Sequence, residues 1–152
     1  FPQRVLFTGW FDTGKQGGEW PGQFEIVPHE APLKWKAARS VADPAGGPPR
    51  LRVGLRGDRR LGPGPTRLTL RYRLTGADRF AVELARQGNQ VDAAQVEPAE
   101  KDKWAEATVD FVAHADPQSR TAVDEIRFLL PPKAELTVDD LLLFEPGVAA
   151  DK

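Results

Sequence analysis

Residues 66–76 read TRLTLRYRLTG, with Leu68, Leu70, Tyr72 and Leu74 at every second place and Thr69, Arg71 and Arg73 between them. A helix brings residues three and four apart onto one face, whereas a strand brings alternate residues there. The stretch therefore predicts a half-buried β-strand with an apolar inner side and a cationic outer side.

The same period recurs on both sides of it. RLRVGLRG places Leu51, Val53 and Leu55 inward with Arg50, Arg52 and Arg56 outward, and RFAVELAR places Phe80, Val82 and Leu84 inward. ATVDFVAH offers Val109 and Phe111, DEIRFLLPP offers Ile126, Phe128 and Leu130, and ELTVDDLLLFE offers Leu136, Val138, Leu142 and Phe144. Six such runs separated by Gly, Pro and Asp predict an all-β fold, an antiparallel β-sandwich. RVLFTGWFD and QFEIVPH read as further strands in a less regular first third, and VADPAGGPPR reads as a flexible connection. The segment 57–66 reads as a Pro/Gly loop and TGAD, 75–78, as a hairpin turn. A short helical turn is expected around residues 99–103.

With 152 residues the chain is large enough for one domain to bury its own core. We expect that domain over 1–147 and a tail or linker over 148–152. Its 21 basic and 22 acidic residues leave no overall bias toward nucleic acid. No apolar run approaches the roughly 18 residues of a membrane span, so no membrane insertion is expected. The lack of cysteine excludes disulfides, thiol nucleophiles and thiolate metal sites. Methionine is absent even at position 1, which leads us to expect a beginning inside a longer reading frame, with other domains as possible partners.

The order of the pieces resembles the galactose-binding-like β-jelly-roll domains, the fold of many carbohydrate-binding modules. TGWFDTG, 8–14, resembles their Gly-x-Phe-Glu opening, with Asp12 where Glu is usual. RLRVGLRG, LTLRYRLTG and FAVEL resemble their central strands, and KDKWAEATVDF is similar to the segment in which a Trp precedes a strand. DEIRFLLPPKAELTVDDLLLFE resembles the closing hairpin, whose last strand carries an Asp-Asp pair between aliphatic residues. Residues 30–49 have no counterpart. The resemblance implies an extracellular, cell-surface or periplasmic module that binds a polysaccharide or oligosaccharide. It also implies a structural calcium that bridges the first and last strands through oxygen ligands, with Asp12, Asp140 and Asp139 as the candidates.

Strand alternation places Asp140 with Val138 and Leu142, and Asp139 with Thr137 and Leu141, so one of the two faces the core side. A buried carboxylate needs a partner, and pairing of Asp140 with an arginine such as Arg4 is the alternative to a metal.

Two surfaces are candidates for the ligand. An exposed Trp presents a flat ring to the C–H faces of a sugar. Of Trp10, Trp20, Trp35 and Trp104, we single out Trp20 and Trp35, which Gly, Pro and Lys flank, and read Trp104 as a packing residue. Arg52, Arg71, Arg73 and Arg127 form an outward stripe on strands read as neighbours, suited to carboxylates or sulfates. Cross-strand pairing of these arginines with Glu83, Asp110 and Glu125 is the other reading of the same charges.

His29 and His114 belong to no metal-spaced motif, Tyr72 alternates inward among leucines, and no nucleophile elbow, phosphate loop or dinucleotide fingerprint is present. Three functions stay open: a non-catalytic carbohydrate-binding module, a structural or protein-interaction sandwich of a larger extracellular protein, and a small jelly-roll polysaccharide lyase or hydrolase.

Overall fold

A computed structural model describes residues 2–9, 22–28, 36–42, 48–61, 64–97, 100–112 and 121–146. Among these residues every regular element is a strand: β1 Pro2–Gly9, β2 Gly22–Gln23, β3 Glu25–Pro28, β4 Lys36–Arg39, β5 Arg50–Arg60, β6 Thr66–Thr75, β7 Phe80–Arg86, β8 Asn89–Val96, β9 Trp104–Phe111, β10 Ala122–Leu129 and β11 Glu135–Pro146. They form two antiparallel sheets. The first runs β3-β4-β11-β6-β9, with β1 also on β11, and the second runs β2-β5-β10-β7-β8.

All six alternating runs fall on strands. Their inner sets meet between the sheets: Leu51, Val53 and Leu55 from β5, Leu68, Leu70, Tyr72 and Leu74 from β6, Phe80, Val82 and Leu84 from β7, and Ile126 and Phe128 from β10 are all buried. Tyr72 of the first sheet packs edge-on against Phe80 of the second, ring centroids 5.2 Å apart, and its hydroxyl accepts the Glu100 N–H at 2.9 Å. Tyr72 is thus a core residue with a satisfied polar tip, as its place among leucines implies.

Several local expectations need correction. β6 and β7 lie in opposite sheets, so residues 75–78 carry the chain across the sandwich and are not a hairpin turn. β10 and β11 are also in opposite sheets, and the segment expected as a closing hairpin is a second crossover. The one tight hairpin between these long strands joins β7 to β8 through Gln87 and Gly88, both at positive φ, 52° and 83°. The expected loop at 57–66 begins late, because β5 continues to Arg60. Residues 100–103 are irregular, not helical, and Asp102 has a φ of 63°. β4 and β8 were not legible: KAAR is short, and NQVDAAQV lacks an apolar rank because it is an edge strand.

The largest correction concerns the Asp-Asp pair. β11 keeps β6 on one side, but on the other it pairs with β4 at Thr137 and Val138 and with β1 from Leu141 to Pro146. Where the neighbour changes, one extra residue enters β11: Asp139 lies opposite Arg71 and Leu142 opposite Thr69. Asp140 takes the bulge at a φ of 52°, a conformation Asp tolerates better than most residues. The insertion shifts the phase, so Leu141 and Leu143 are buried and Leu142 and Phe144 are only partly so, the reverse of simple alternation. Asp139, not Asp140, is the buried member, 1 % exposed, and its Oδ1 accepts the Asp140 N–H at 2.8 Å.

The two crossovers touch. A Cβ on Gly76, whose φ is +79°, would lie 2.7 Å from the Lys133 carbonyl oxygen, whereas one on Gly88, at φ +83°, would meet nothing within 4 Å. Gly88→Ala is expected to cost about 1–2 kcal/mol for the left-handed backbone alone, and Gly76→Ala clearly more, since a backbone atom must also move. Urea unfolding of the two variants checks the order; equal losses would show that the crossovers do not constrain each other.

Candidate functional site

The outward side chains of the second sheet are built on one register rank. Arg52 of β5 stands opposite Arg127 of β10, and Arg127 opposite Glu83 of β7. Two adjacent guanidinium groups repel, and like charges in a cross-strand pair are unfavourable. Carboxylates on both sides offset this: Arg127 Nη2 lies 2.8 Å from Glu83 and its Nε 3.8 Å from Glu125, while Arg52 Nη1 lies 3.3 Å from Glu125. Arg127 Nη1 also donates to the Gly88 carbonyl at 3.1 Å, which ties the rank to the β7–β8 turn. Glu83 is 8 % exposed, and Glu125 sits between Gly54 and Ala85, which leave its neighbourhood low. The Nε atoms of Arg52 and Arg127 are buried and find no hydrogen-bond acceptor among the described residues.

Beside this network the surface is concave. Where β5 begins and β10 ends, a depression of about 430 Å³ is lined by Pro48, Pro49, Leu129 and Leu130 together with Arg52, Glu83 and Arg127. A second depression of about 370 Å³ continues over β7 and β8, lined by Arg79, Ala81 and Gln95 and again by Leu129 and Leu130. Leu129, 45 % exposed, stands between the two. The result is a trough across β5, β10, β7 and β8 with aliphatic walls, lined by Arg52, Arg79 and Arg127 beside the Glu83 carboxylate.

The expected arginine stripe is therefore split. Arg52 and Arg127 share the second sheet, but Arg71 and Arg73 lie on the opposite face of the sandwich, because β5 and β6, consecutive in the chain, enter different sheets. Pairing accounts for the charges in both places: Glu83 and Glu125 engage Arg127 and Arg52, and Asp110 holds Arg67 at 2.7 Å. Arg67 is held above the ordinary arginine value, chiefly by its hydrogen bond to Asp110, against the opposing effect of burial. Arg71 lies 3.9 Å from Asp140, so an arginine is the neighbour of that aspartate, and it is Arg71.

Asp12, Trp20 and Trp35 lie outside the described residues, as do Trp10, His29 and His114. Trp104, read as a packing residue, is only partly buried and lines a depression on the first sheet. Sequence reasoning missed Leu129 as a surface residue; the signal was its place out of phase with Phe128 and Leu130.

Asp140 turns toward Arg71 while Asp139 is buried, and among the described residues no three acidic or histidine groups converge.

No family model and no curated protein matches the chain. Solved structures do. The CBM22-1 xylan-binding domain of Paenibacillus barcinonensis Xyn10C is 15% identical with a TM-score of 0.54, over 92% of this chain and 93% of that one. The module TmCBM61, solved with β-1,4-galactotriose, is 13% identical with a TM-score of 0.55, over 90% and 94%. A Stig cyclase, Fisc, from Fischerella sp. TAU is 22% identical with a TM-score of 0.54, over 80% and 70%.

The Arg127–Glu83 pair supports the trough, and its removal in halves tests that. Arg127→Met alone leaves a buried carboxylate without its cation and is expected to cost about 3 kcal/mol. Adding Glu83→Leu is expected to restore much of the loss. A double-mutant cycle by urea unfolding checks this, and strictly additive costs would dissolve the coupling.

Proposed function

The chain has the antiparallel β-sandwich jelly-roll fold of carbohydrate-binding modules, and from that premise we propose that it is a non-catalytic carbohydrate-binding module, working outside the cell or at its surface. The observation that carries the reading is the trough on the second sheet, where Arg52, Arg127 and Glu83 lie beside the aliphatic wall of Leu129, Leu130 and Pro49. Pyranose rings are amphipathic in the same way. Their C–H faces pack on apolar side chains, and their hydroxyls donate to carboxylates and accept from guanidinium groups. Arg52, Arg127 and Arg79 already have carboxylate partners in Glu125, Glu83 and Glu97, which favours an uncharged polysaccharide over an acidic one. The xylan-binding and galactotriose-bound modules with the same fold make xylan and galactan the first ligands to try. Trp20 and Trp35 belong to the proposal as stacking platforms at the rim.

A structural calcium belongs to the reading in one form, with Asp139 supplying a buried carboxylate and Asp12 the second. Asp12 follows three residues after Gly9, which pairs with Leu141 beside the bulge. Added EDTA is then expected to lower the melting temperature, and Asp139→Asn to abolish the difference. A melting temperature indifferent to EDTA, with no calcium in protein purified without added metal, would remove the ion and leave the trough untouched.

Affinity gel electrophoresis against xylan, galactan and polygalacturonate tests the binding. Retardation by an uncharged polymer is expected, weakened at least about tenfold, equivalent to about 1.4 kcal/mol, by Arg52→Ala or Leu129→Ser. Trp20→Ala and Trp35→Ala are expected to weaken it as well. Retardation by polygalacturonate alone would turn the ligand into an acidic one, and none at all would favour the structural or partner-binding sandwich.

A further inference from the structure

The outward face of the first sheet carries a second set of groups that the trough does not use. One register rank crosses five consecutive strands: Glu25 of β3 opposite Arg39 of β4, Arg39 opposite Thr137 of β11, Thr137 opposite Arg73 of β6, and Arg73 opposite Trp104 of β9. Four strand spacings of about 4.8 Å make this rank about 19 Å long. A depression of about 550 Å³ lies along it, with Arg39, Arg73, Trp104, Glu135 and Thr137 in its lining.

The chemistry of the rank is mixed by design of the register. Arg39 donates from Nη2 and Nε to Glu25 Oε1 at 2.7 and 3.1 Å, and its Nε lies 4.0 Å from Glu135. Its guanidinium is held above the ordinary arginine value, chiefly by the hydrogen bond to Glu25, with burial opposing. Arg39, Arg73 and Glu135 line the depression, and Glu25, hydrogen-bonded to Arg39, stands at the far end of the rank, so the formal charges of these four groups cancel. An anionic ligand would meet Glu25 and Glu135, and a cationic one would meet Arg39 and Arg73. Hydroxyl groups suit alternating donors and acceptors, and the partly exposed indole of Trp104 at the end of the rank suits a C–H face.

We propose that this face is a second binding site, for an uncharged oligosaccharide laid across the strands from Glu25 toward Trp104. The proposal rests on the carbohydrate-binding reading and extends it: the domain holds two glycan chains, one on each side. The sheets of a sandwich lie about 10 Å apart and their outer faces look in opposite directions. The two sites therefore engage separate chains, and the domain cross-links them, gaining avidity on a dense glycan without any new contact.

Calorimetry with xylohexaose and with β-1,4-galactotriose, and turbidity of soluble arabinoxylan and galactan, test this. Native protein is expected to bind two oligosaccharides per chain and to cloud one of the polymer solutions over a window of protein concentration. Trp104→Ala is expected to halve the stoichiometry and abolish the clouding while leaving affinity-gel retardation through the trough. Thr137→Arg, which fills the floor of the depression from an outward position, is expected to do the same and decides the matter should Trp104→Ala fold poorly. A native stoichiometry of one, or two sites unchanged by Thr137→Arg, overturns the second site while the module reading stands. Absence of binding and of gel retardation by native protein with both sugars overturns the two together.

Discussion

β11 has to serve two neighbours along one edge, and the rest of the first sheet depends on how it does so. Its first half pairs with β4 and its second half with β1, while β6 follows it along the other side. Two strands approaching from different parts of the chain do not arrive in one register. The extra residue at Asp140 absorbs the mismatch, and the Asp139 carboxylate accepts the Asp140 N–H at the point where the ladder is interrupted. A left-handed residue and an acceptor for a stranded donor are both tasks that aspartate performs well. The adjacent carboxylates thus have a backbone reason to be where they are, independent of any metal.

That bulge also marks the limit of what the sequence discloses. Period-two patterning located β5, β6, β7, β9, β10 and β11 because each buries one face against the opposite sheet, and burial imprints the pattern directly. Beyond Asp139 the same rule assigned Leu142 and Phe144 to the core, and the bulge reversed it in favour of Leu141 and Leu143. A phase shift of one residue leaves no composition signal in DDLLLF, where every position after the aspartates is apolar. Pairing partners were less legible still. TGAD and LPPKA are short enough for hairpins, and only the competition of the two sheets for a common core sends each across the sandwich.

The candidate sites were legible as residue types and not as places. The outward arginines were visible at alternating positions, as were the acidic residues able to pair with them. Their partition between two faces was not, because it follows from which sheet each strand joins. Trp104 illustrates the same point from the other direction. It opens β9 at an edge of the first sheet, where it is partly buried and borders the depression. A residue at such an edge can satisfy packing and recognition together, and the sequence alone distinguishes only the first.

Both outer faces solve one electrostatic problem in the same manner. A strand that alternates leucine with arginine for the sake of its inner face presents a row of cations outside, and a row of like charges across neighbouring strands opposes the sheet. In the second sheet Glu83 and Glu125 answer Arg52 and Arg127, and in the first Glu25, Glu135 and Asp110 answer Arg39 and Arg67. The exposed pairs among these, Arg39 with Glu25 and Arg67 with Asp110, contribute little to stability, so their value as a scaffold is small. What they leave behind is a surface on which fixed donors and fixed acceptors alternate at the spacing of strands, already ordered before any ligand arrives. An uncharged polyol is the ligand class that profits from such order, since it brings donors and acceptors in equal measure and demands no net charge in return. The neutralisation of the outer ranks of an arginine-rich sandwich and the sugar binding we propose thus draw on the same side chains.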